Sequence, residues 1–476
     1  MSFKKTTFRH IFQIGGYKYV AHLLNFLSSI VLARLLLPEE YGFAAMIMIV
    51  ANFARILSGE GIAADIIRSG YGYTYHKSMM NLSVYLGVAL SIIIMILAYP
   101  LALFFGNLAL IPPTLVLATQ FIFIGLNVVQ YALLMKNQKF GLLGQIELGS
   151  TVLSIMLMIL MAYLGFSYWS LIVPLVIAEI FRSYLYILFT KFRIRFFSLK
   201  YPITAFRHAK SIIGSIMGVR IISYWGRNLD NILIGRFFGE AALGIYNRGY
   251  KFTDLVSGLF ERMFNTVLYP NLQKLKEKSG DVFGEYLFFI GVMCFLSFPI
   301  SSILILFPEI LVRILWGPDW LVVADYLPYF GLAIFSQASI SNTETLYKIY
   351  YRDLLLFKIG MFRSVIIVLF IIAGSLFSAL MVARMVALVQ IIAIIPVTVF
   401  YSFGREMGFK YNLLIRLYLP RVLLFSGLFI TIWMEIRLLT IIQVALYLGF
   451  LFFMQRDELF RLKEFLIDRF APGKKK

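Results

Sequence analysis

Arg220, Tyr224, Arg227 and Asn231 recur at i, i+4, i+7 and i+11 inside an apolar run. At about 100° per residue they share one helix face, and they cover roughly 16 Å of its length. Arg248, Lys251, Asp254, Glu261 and Arg262 fall on less than half the circumference of the next run, and Asn52 and Arg55 mark an earlier one. Gln337, Ser341, Glu344 and Lys348 form a further stripe, and Glu147, Glu179 and Arg182 charge two more runs. Cations on one face suit the holding of an anion. Arginine in particular grips phosphate through two parallel N–H bonds. Catalysis is not indicated: there is no G-x-x-x-x-G-K-[ST] stretch to hold ATP and no HExxH or similar metal set. The lone Cys294 excludes an intrachain disulfide and a cysteine metal site. No cofactor and no metal are expected, and any energy source is an ion gradient or the substrate gradient itself.

The elements that carry these groups follow from composition. Of 476 residues, 61% are hydrophobic and 14% charged, and the mean hydropathy is +0.85. That balance excludes a soluble domain. The apolar runs are about 20 residues long, the length that spans a bilayer core as helix. The expected fold is an all-α polytopic membrane protein. Its fourteen spans lie near 11–37, 41–67, 77–104, 110–135, 142–163, 168–190, 210–236, 240–269, 284–307, 322–349, 352–374, 378–402, 413–434 and 438–455. The stretch "YPITAFRHAK" at 201–210 reads as an interfacial connector between halves, and Pro174, Pro299, Pro328 and Pro396 as bends within helices. "MSFKKTTFRH" leads into the first span without a small-residue cleavage site, so no signal peptide is expected.

A net charge of +20 on a soluble chain would suggest nucleic acid. Here the basic residues sit in alternate loops, from Lys4/Lys5/Arg9 through Lys136/Lys139 and Lys274/Lys276/Lys278 to the terminal "GKKK". The loops between them, such as "PEEYG", "FFGEA" and "FPEILVRILWGPDW", hold almost no lysine or arginine. By the positive-inside rule both termini are cytoplasmic, and no nucleic-acid partner is expected.

"VLARLLLPEEYGF" at 31–43 matches "LIGRFFGEAALGI" at 233–245 with an offset of 202, which places Arg34 on Arg236 and Gly42 on Gly244. The same offset carries Arg220, Tyr224, Arg227 and Asn231 back to Lys18, His22, Asn25 and Ser29, a second polar stripe. Two six-helix lobes, 1–200 and 201–411, are therefore expected about a pseudo-two-fold along the membrane normal, with two extra helices and a basic tail in 412–476. A charge facing lipid costs several kcal/mol at about mid-bilayer depth, so these groups turn inward. Taken singly, Arg227 with Asp230 or Lys251 with Asp254 reads equally well as an ion pair between or along helices. As a set, the cations outnumber the acids, which points to a water-filled cationic cavity. Its expected lining is Lys18, His22, Asn25, Arg55, Arg220, Tyr224 and Arg227. Asp230, Asn231, Arg248, Lys251, Asp254 and Glu344 complete it.

The stretches "VLARLLLPEEYGFAAMIMIVANF" (31–53) and "RNLDNILIGRFFGEAALGIYNRGYKFTDL" (227–255) resemble the polysaccharide transporter (Wzx-type) family of the multidrug/oligosaccharidyl-lipid/polysaccharide exporter superfamily. The second, with L-D-N-x-L-I-G-R and A-L-G-x-Y, is the more specific. "YGYTYHK" at 71–77 departs from the family's usual ending of that segment. The resemblance implies a V-shaped pair of bundles in the bacterial inner membrane. It also implies flipping of undecaprenyl-diphosphate-linked oligosaccharide by alternating access, for O-antigen, capsule or exopolysaccharide. Implied partners are that lipid-diphosphate-linked oligosaccharide, the membrane, a coupling ion (H+ or Na+), and the polymerase and chain-length proteins of the same pathway. The alternatives are a peptidoglycan lipid precursor flippase, a drug antiporter of the same superfamily, which would favour an acidic cavity, and a membrane polymerase or ligase, which would need larger outer loops.

Overall fold

The computed structural model describes residues 3–190 and 200–454, all helix or short turn, with no strand among them. The chain divides into two compact units, Met1–Gly244 and Ile245–Lys476. The first holds α1 (Phe3–Ala33), α2 (Pro38–Leu57), α3 (Glu60–Arg68), α4 (Tyr73–Phe105), α5 (Ile111–Ala118), α6 (Gln120–Lys136), α7 (Phe140–Tyr163) and α8 (Trp169–Thr190). α9 (Lys200–Glu277) runs from the first unit into the second and breaks at Gly239, whose φ of 80° suits glycine alone among common residues. The second unit continues with α10 (Val282–Leu306), α11 (Pro308–Leu315), α12 (Leu327–Ala338), α13 (Thr343–Ile349), α14 (Asp353–Ser375) and α15 (Ala379–Val389). After π-helical turns at 390–394 and 397–406 come α16 (Tyr411–Trp433) and α17 (Arg437–Met454).

Helical residues occupy each of the fourteen expected ranges. Among the described residues nine helices are long and apolar enough to cross a membrane, ten if the bent pair 318–325 and 327–349 is one span. The protein is an all-α polytopic membrane protein. The basic tail and the Lys191/Arg193/Arg195 loop lie outside the described residues.

Four local expectations need correction. The 41–67 span is two helices, α2 and α3, because the chain breaks at Ser58–Gly59 (Gly59 φ 157°) where α6 presses close: a Cβ there would meet Val128 at 2.3 Å. The 322–349 span is likewise interrupted. Residues 318–325 form a 3-10 helix bent by 50° from the helical stretch 327–349, and Asn342, at φ 54°, separates α12 from α13. The Gln337/Ser341/Glu344/Lys348 stripe is therefore not one continuous face. Tyr286 Oη donates to the Ser341 carbonyl at 2.9 Å, filling one acceptor the break frees. Residues 201–210 are the first turns of α9 rather than a separate connector, with Pro202 where a helix start tolerates it. Pro328 sits in the first turn of α12, directly after the 50° bend, rather than in mid-helix. Pro174 and Pro299 are internal, and Pro396 lies between the two π-helical stretches.

Small residues set the closest crossings, because only they let two backbones approach. Between α4 and α6, a Cβ on Gly87 would lie 2.4 Å from the Phe121 carbonyl and one on Gly125 2.5 Å from the Ser83 carbonyl. Ser83 Oγ donates to the Gly125 carbonyl at 2.7 Å. In the second unit α10 and α12 meet in the same manner at Gly331 and Ser301, and α14 and α15 at Gly374 and Val382. The pairings α4–α6, α6–α8 and α7–α8 of the first unit recur as α10–α12, α12–α15 and α14–α15 in the second. Each unit by itself thus packs these helices by one scheme.

Inside the first unit a reciprocal contact carries the repeat further. A Cβ on Gly42 would sit 1.6 Å from the Glu240 carbonyl, and one on Gly244 would sit 1.9 Å from the Pro38 carbonyl. With the offset of 202, Gly42 corresponds to Gly244 and Pro38 to Glu240. The two contacts are therefore the same contact with the partners exchanged, which is what a local two-fold axis produces.

Candidate functional site

The densest polar cluster of the first unit gathers on α2, α6, α7 and α8. α8 supplies Glu179, Arg182, Ser183 and Tyr186 at i, i+3, i+4 and i+7, one face of the helix. α6 adds Gln120 and Asn127 at i and i+7, and α7 adds Glu147. α2 brings Arg55 in one turn before the break at Gly59.

Glu179 is the hub, with its side chain only 6% exposed. Its Oε1 accepts from Arg55 Nη1 at 3.0 Å and from Arg182 Nη1 at 2.6 Å, and its Oε2 accepts from Asn127 Nδ2 at 3.2 Å. Ser183 Oγ donates to Asn127 Oδ1 at 2.7 Å, which orients the amide toward the carboxylate. Arg182 also reaches Glu147 at 3.5 Å, and Tyr186 Oη donates to the same carboxylate at 2.8 Å. Arg55 Nη2 donates to Gln120 Oε1 at 3.0 Å. Two arginines and two glutamates balance to zero charge, so the network can sit at depth without a net burden.

Beside it lies a cavity of about 200 Å³, walled by Arg55, Ser58, Asn127, Tyr131, Glu147 and Glu179 among others. At roughly 30 Å³ per water this space holds several waters or one phosphate-sized group, and not an oligosaccharide. Arg55 is the network's open end. Its side chain is 43% exposed, and two of the five N–H bonds of its guanidinium are committed to Glu179 and Gln120.

The sequence candidates fall into separate places. Lys18, His22 and Asn25 are exposed on α1, where Asn25 Nδ2 bonds back to the Ala21 carbonyl at 2.9 Å. Arg220 and Arg227 are exposed on the first limb of α9. Between them Tyr224 is buried: it packs on Phe53 with ring centroids 5.6 Å apart, and its hydroxyl donates to the Ile49 carbonyl of α2. Trp225 joins the same Phe53 at 5.1 Å, so an aromatic clamp fixes this limb against α2 and determines which way Arg220 and Arg227 point. Asp230 is buried, with Oδ1 accepting from the Asn231 amide at 2.8 Å, and Asn231 is half-buried.

In the second unit Arg248 is 1% exposed and stacks its guanidinium 4.7 Å from the Trp320 ring and 5.4 Å from Trp316. Lys251 and Glu344 are exposed, Glu344 lying 3.5 Å from Lys348. The Asp254 side chain lies outside the described residues. Tyr224, Asp230 and Arg248 are thus packed inside, while Lys18, Lys251, Arg55, Arg220 and Arg227 are exposed. Gln120, Asn127, Ser183 and Tyr186 were missed by the sequence reading. The i, i+3, i+4, i+7 stripe on α8 could have found Ser183 and Tyr186, and the i, i+7 pair on α6 Gln120 and Asn127. Among the described residues no three His, Cys, Asp or Glu side chains converge as a metal site would.

Residues 31–325 match the family model described as "Polysaccharide biosynthesis protein". The teichuronic acid biosynthesis protein TuaB of Bacillus subtilis is 23% identical over 58% of this chain and 57% of its own. The succinoglycan biosynthesis transport protein ExoT of Rhizobium meliloti is 25% identical over 68% of this chain and 64% of its own. The chain thus spans less than two thirds of the length of either relative. Among solved structures, the lipid II flippase MurJ in an inward closed conformation superposes with a TM-score of 0.68 at 16% identity, covering 94% of this chain and 99% of that one. At that identity the likeness is one of fold. Both segments that carried the sequence resemblance lie within the matched residues or begin at their first position. This chain belongs to the polysaccharide biosynthesis protein family, as a multi-pass helical membrane protein.

Proposed function

We propose that the protein flips a lipid-diphosphate-linked oligosaccharide across the bacterial inner membrane by alternating access, for assembly of a surface polysaccharide. The observation that carries this reading is the set of exposed basic side chains Lys18, Arg220 and Arg227 on α1 and α9 of the first unit. Such charges are not tolerated against lipid and call for a watery or anionic neighbour. A diphosphate brings about two negative charges that cannot cross hydrocarbon unaided, and fixed guanidinium groups replace part of its hydration. A cation antiporter would favour the opposite sign. The relatives named for polysaccharide biosynthesis support the same substrate class. The lobes 1–200 and 201–411 act in this reading as the two moving bodies, with 412–476 appended.

The test is translocation by purified protein in vesicles, using an undecaprenyl-diphosphate oligosaccharide and, as a comparison, the corresponding monophosphate lipid. Preference for the diphosphate supports the reading, and equal rates for both remove the role given to the cations. Arg227→Ala should lower transport by roughly tenfold or more at normal abundance, the loss expected for a charge-assisted hydrogen bond. Arg227→Lys should recover part of it, because charge is restored without the planar fork. If Arg227 instead serves only as a partner of Asp230, abundance falls in the single variant and returns when Asp230→Asn is added. The same reading places both termini in the cytoplasm, so a periplasm-active reporter fused after the "GKKK" tail should stay silent while a cytoplasm-active one responds.

A further inference from the structure

A second cavity, about 450 Å³, lies wholly within the second unit. It opens where several helices end: α10 at Leu306, α11 and α12 at their first residues, α16 at Trp433 and α17 at Arg437. Ends of spanning helices lie at headgroup depth, and the nearby Trp433 and Tyr329 are the ring types that favour that level. Two of its walls come from α16 and α17, the pair beyond the repeated twelve. Aromatic contacts dock that pair on the unit: Phe335 meets Phe425 and Tyr447 at 4.8 Å each.

The cavity is unusual in its charges. Arg384 donates from Nε to Tyr329 Oη at 3.0 Å and lies 4.8 Å from the Trp433 ring, yet no carboxylate pairs with it among the described residues. Asp325 and Glu435 line the same space and are exposed, and their carboxylates take no ion pair or hydrogen bond from described residues. The Arg437–Glu309 pair at 3.1 Å closes one side and is itself open to solvent. Ile305, Ile310, Leu380 and Ile432 make the rest of the wall apolar.

A cation held by aromatic rings and two carboxylates apart from it leave a gap that one small ligand carrying both charges would fill. We propose that this cavity binds the headgroup of a zwitterionic aminophospholipid. Its phosphate meets Arg384, its primary ammonium donates to Asp325 and Glu435, and its glycerol and upper acyl chain follow the apolar wall. A neutral sugar would bring no charge to meet any of the three, and an anionic headgroup would face two carboxylates. A quaternary ammonium has no N–H to donate. The site is separate from the cationic face of the first unit, and its occupant braces α16 and α17 against α10 and α12.

The experiment is thermal denaturation of the purified full-length protein in detergent, titrated with phosphatidylethanolamine, phosphatidylcholine or phosphatidylglycerol. Phosphatidylethanolamine is expected to raise the melting temperature at the lowest concentration. The Asp325→Asn/Glu435→Gln double variant keeps side-chain volume on exposed positions. It should need about tenfold more of that lipid and lose its preference over phosphatidylcholine, the least effect expected for charge-assisted hydrogen bonds. Arg384→Gln should weaken stabilisation by all three lipids, since each carries the phosphate. Equal stabilisation of the wild type by the three lipids, or preference for phosphatidylglycerol, overturns the proposal. So does protection by a free oligosaccharide but by no lipid. The wild-type comparison decides even where a variant fails to fold.

Discussion

Glu179→Gln is expected to abolish accumulation of folded protein, or to leave a form whose melting temperature in detergent is far below wild type. The carboxylate accepts from Arg55, Arg182 and Asn127, and its side chain is almost wholly enclosed. Removing its charge leaves Arg182 with Glu147 alone, at 3.5 Å, and strips Arg55 of its only ion pair among the described residues. Breaking one side of a buried pair costs about 3–5 kcal/mol, a large part of the roughly 5–15 kcal/mol of a typical domain. A glutamine that keeps its oxygen toward the two arginines turns its NH2 onto Asn127 Nδ2, which already donates to that position. Membrane abundance and detergent melting of Glu179→Gln, beside Glu179→Gln/Arg182→Gln, read this directly. The double variant should recover part of the loss, because it removes the orphaned charge. A single variant as stable as wild type would show that the network is not what holds α2, α6, α7 and α8 together.

Gly42→Ala should be nearly as damaging, for a steric reason. The added methyl would sit 1.6 Å from the Glu240 carbonyl oxygen, and the obstacle is backbone rather than the tip of a flexible side chain. The crossing must open, at a cost near or above the upper end of the roughly 1–3 kcal/mol usual for overpacking. Gly244→Ala meets the Pro38 carbonyl at 1.9 Å and should behave alike. The double variant should lose less than the sum of the two, since one opening of the crossing relieves both. Gly70→Ala, with no atom within 4 Å, is the control and should leave abundance unchanged. Detergent melting curves of the four proteins test the prediction, and wild-type stability of Gly42→Ala would remove the crossing from the structure's close contacts.

The positions of the spans and the family were legible because each rests on signals that are local or linear. Hydrophobic length marks a span whatever it packs against. Basic loops and the 202-residue offset are read along the chain, and the family segments are contiguous. The helix breaks were harder. "SGEG" at 58–61 hinted at the interruption of α2, but Gly59 adopts φ 157° under the press of Val128 from α6, 69 positions away. The break at Asn342 has no glycine or proline to announce it.

Side-chain roles were least legible. The heptad-like spacing of Arg220, Tyr224 and Arg227 placed them on one broad face, and the sequence treated them as equals. Only packing against Phe53 and Ile49 decided that Tyr224 is an anchor while the arginines stay exposed. Arg55 read as a free cation because its partner lies 124 positions away on α8. By itself, then, the sequence determined that the chain is a bundle of membrane helices with more positive than negative charge among its polar stripes, because hydropathy and charge sum along the chain. Which charges neutralise one another, and which remain to meet a solute, was decided by tertiary structure alone, because electrostatic pairing acts over a few ångströms of space and not over intervals of sequence.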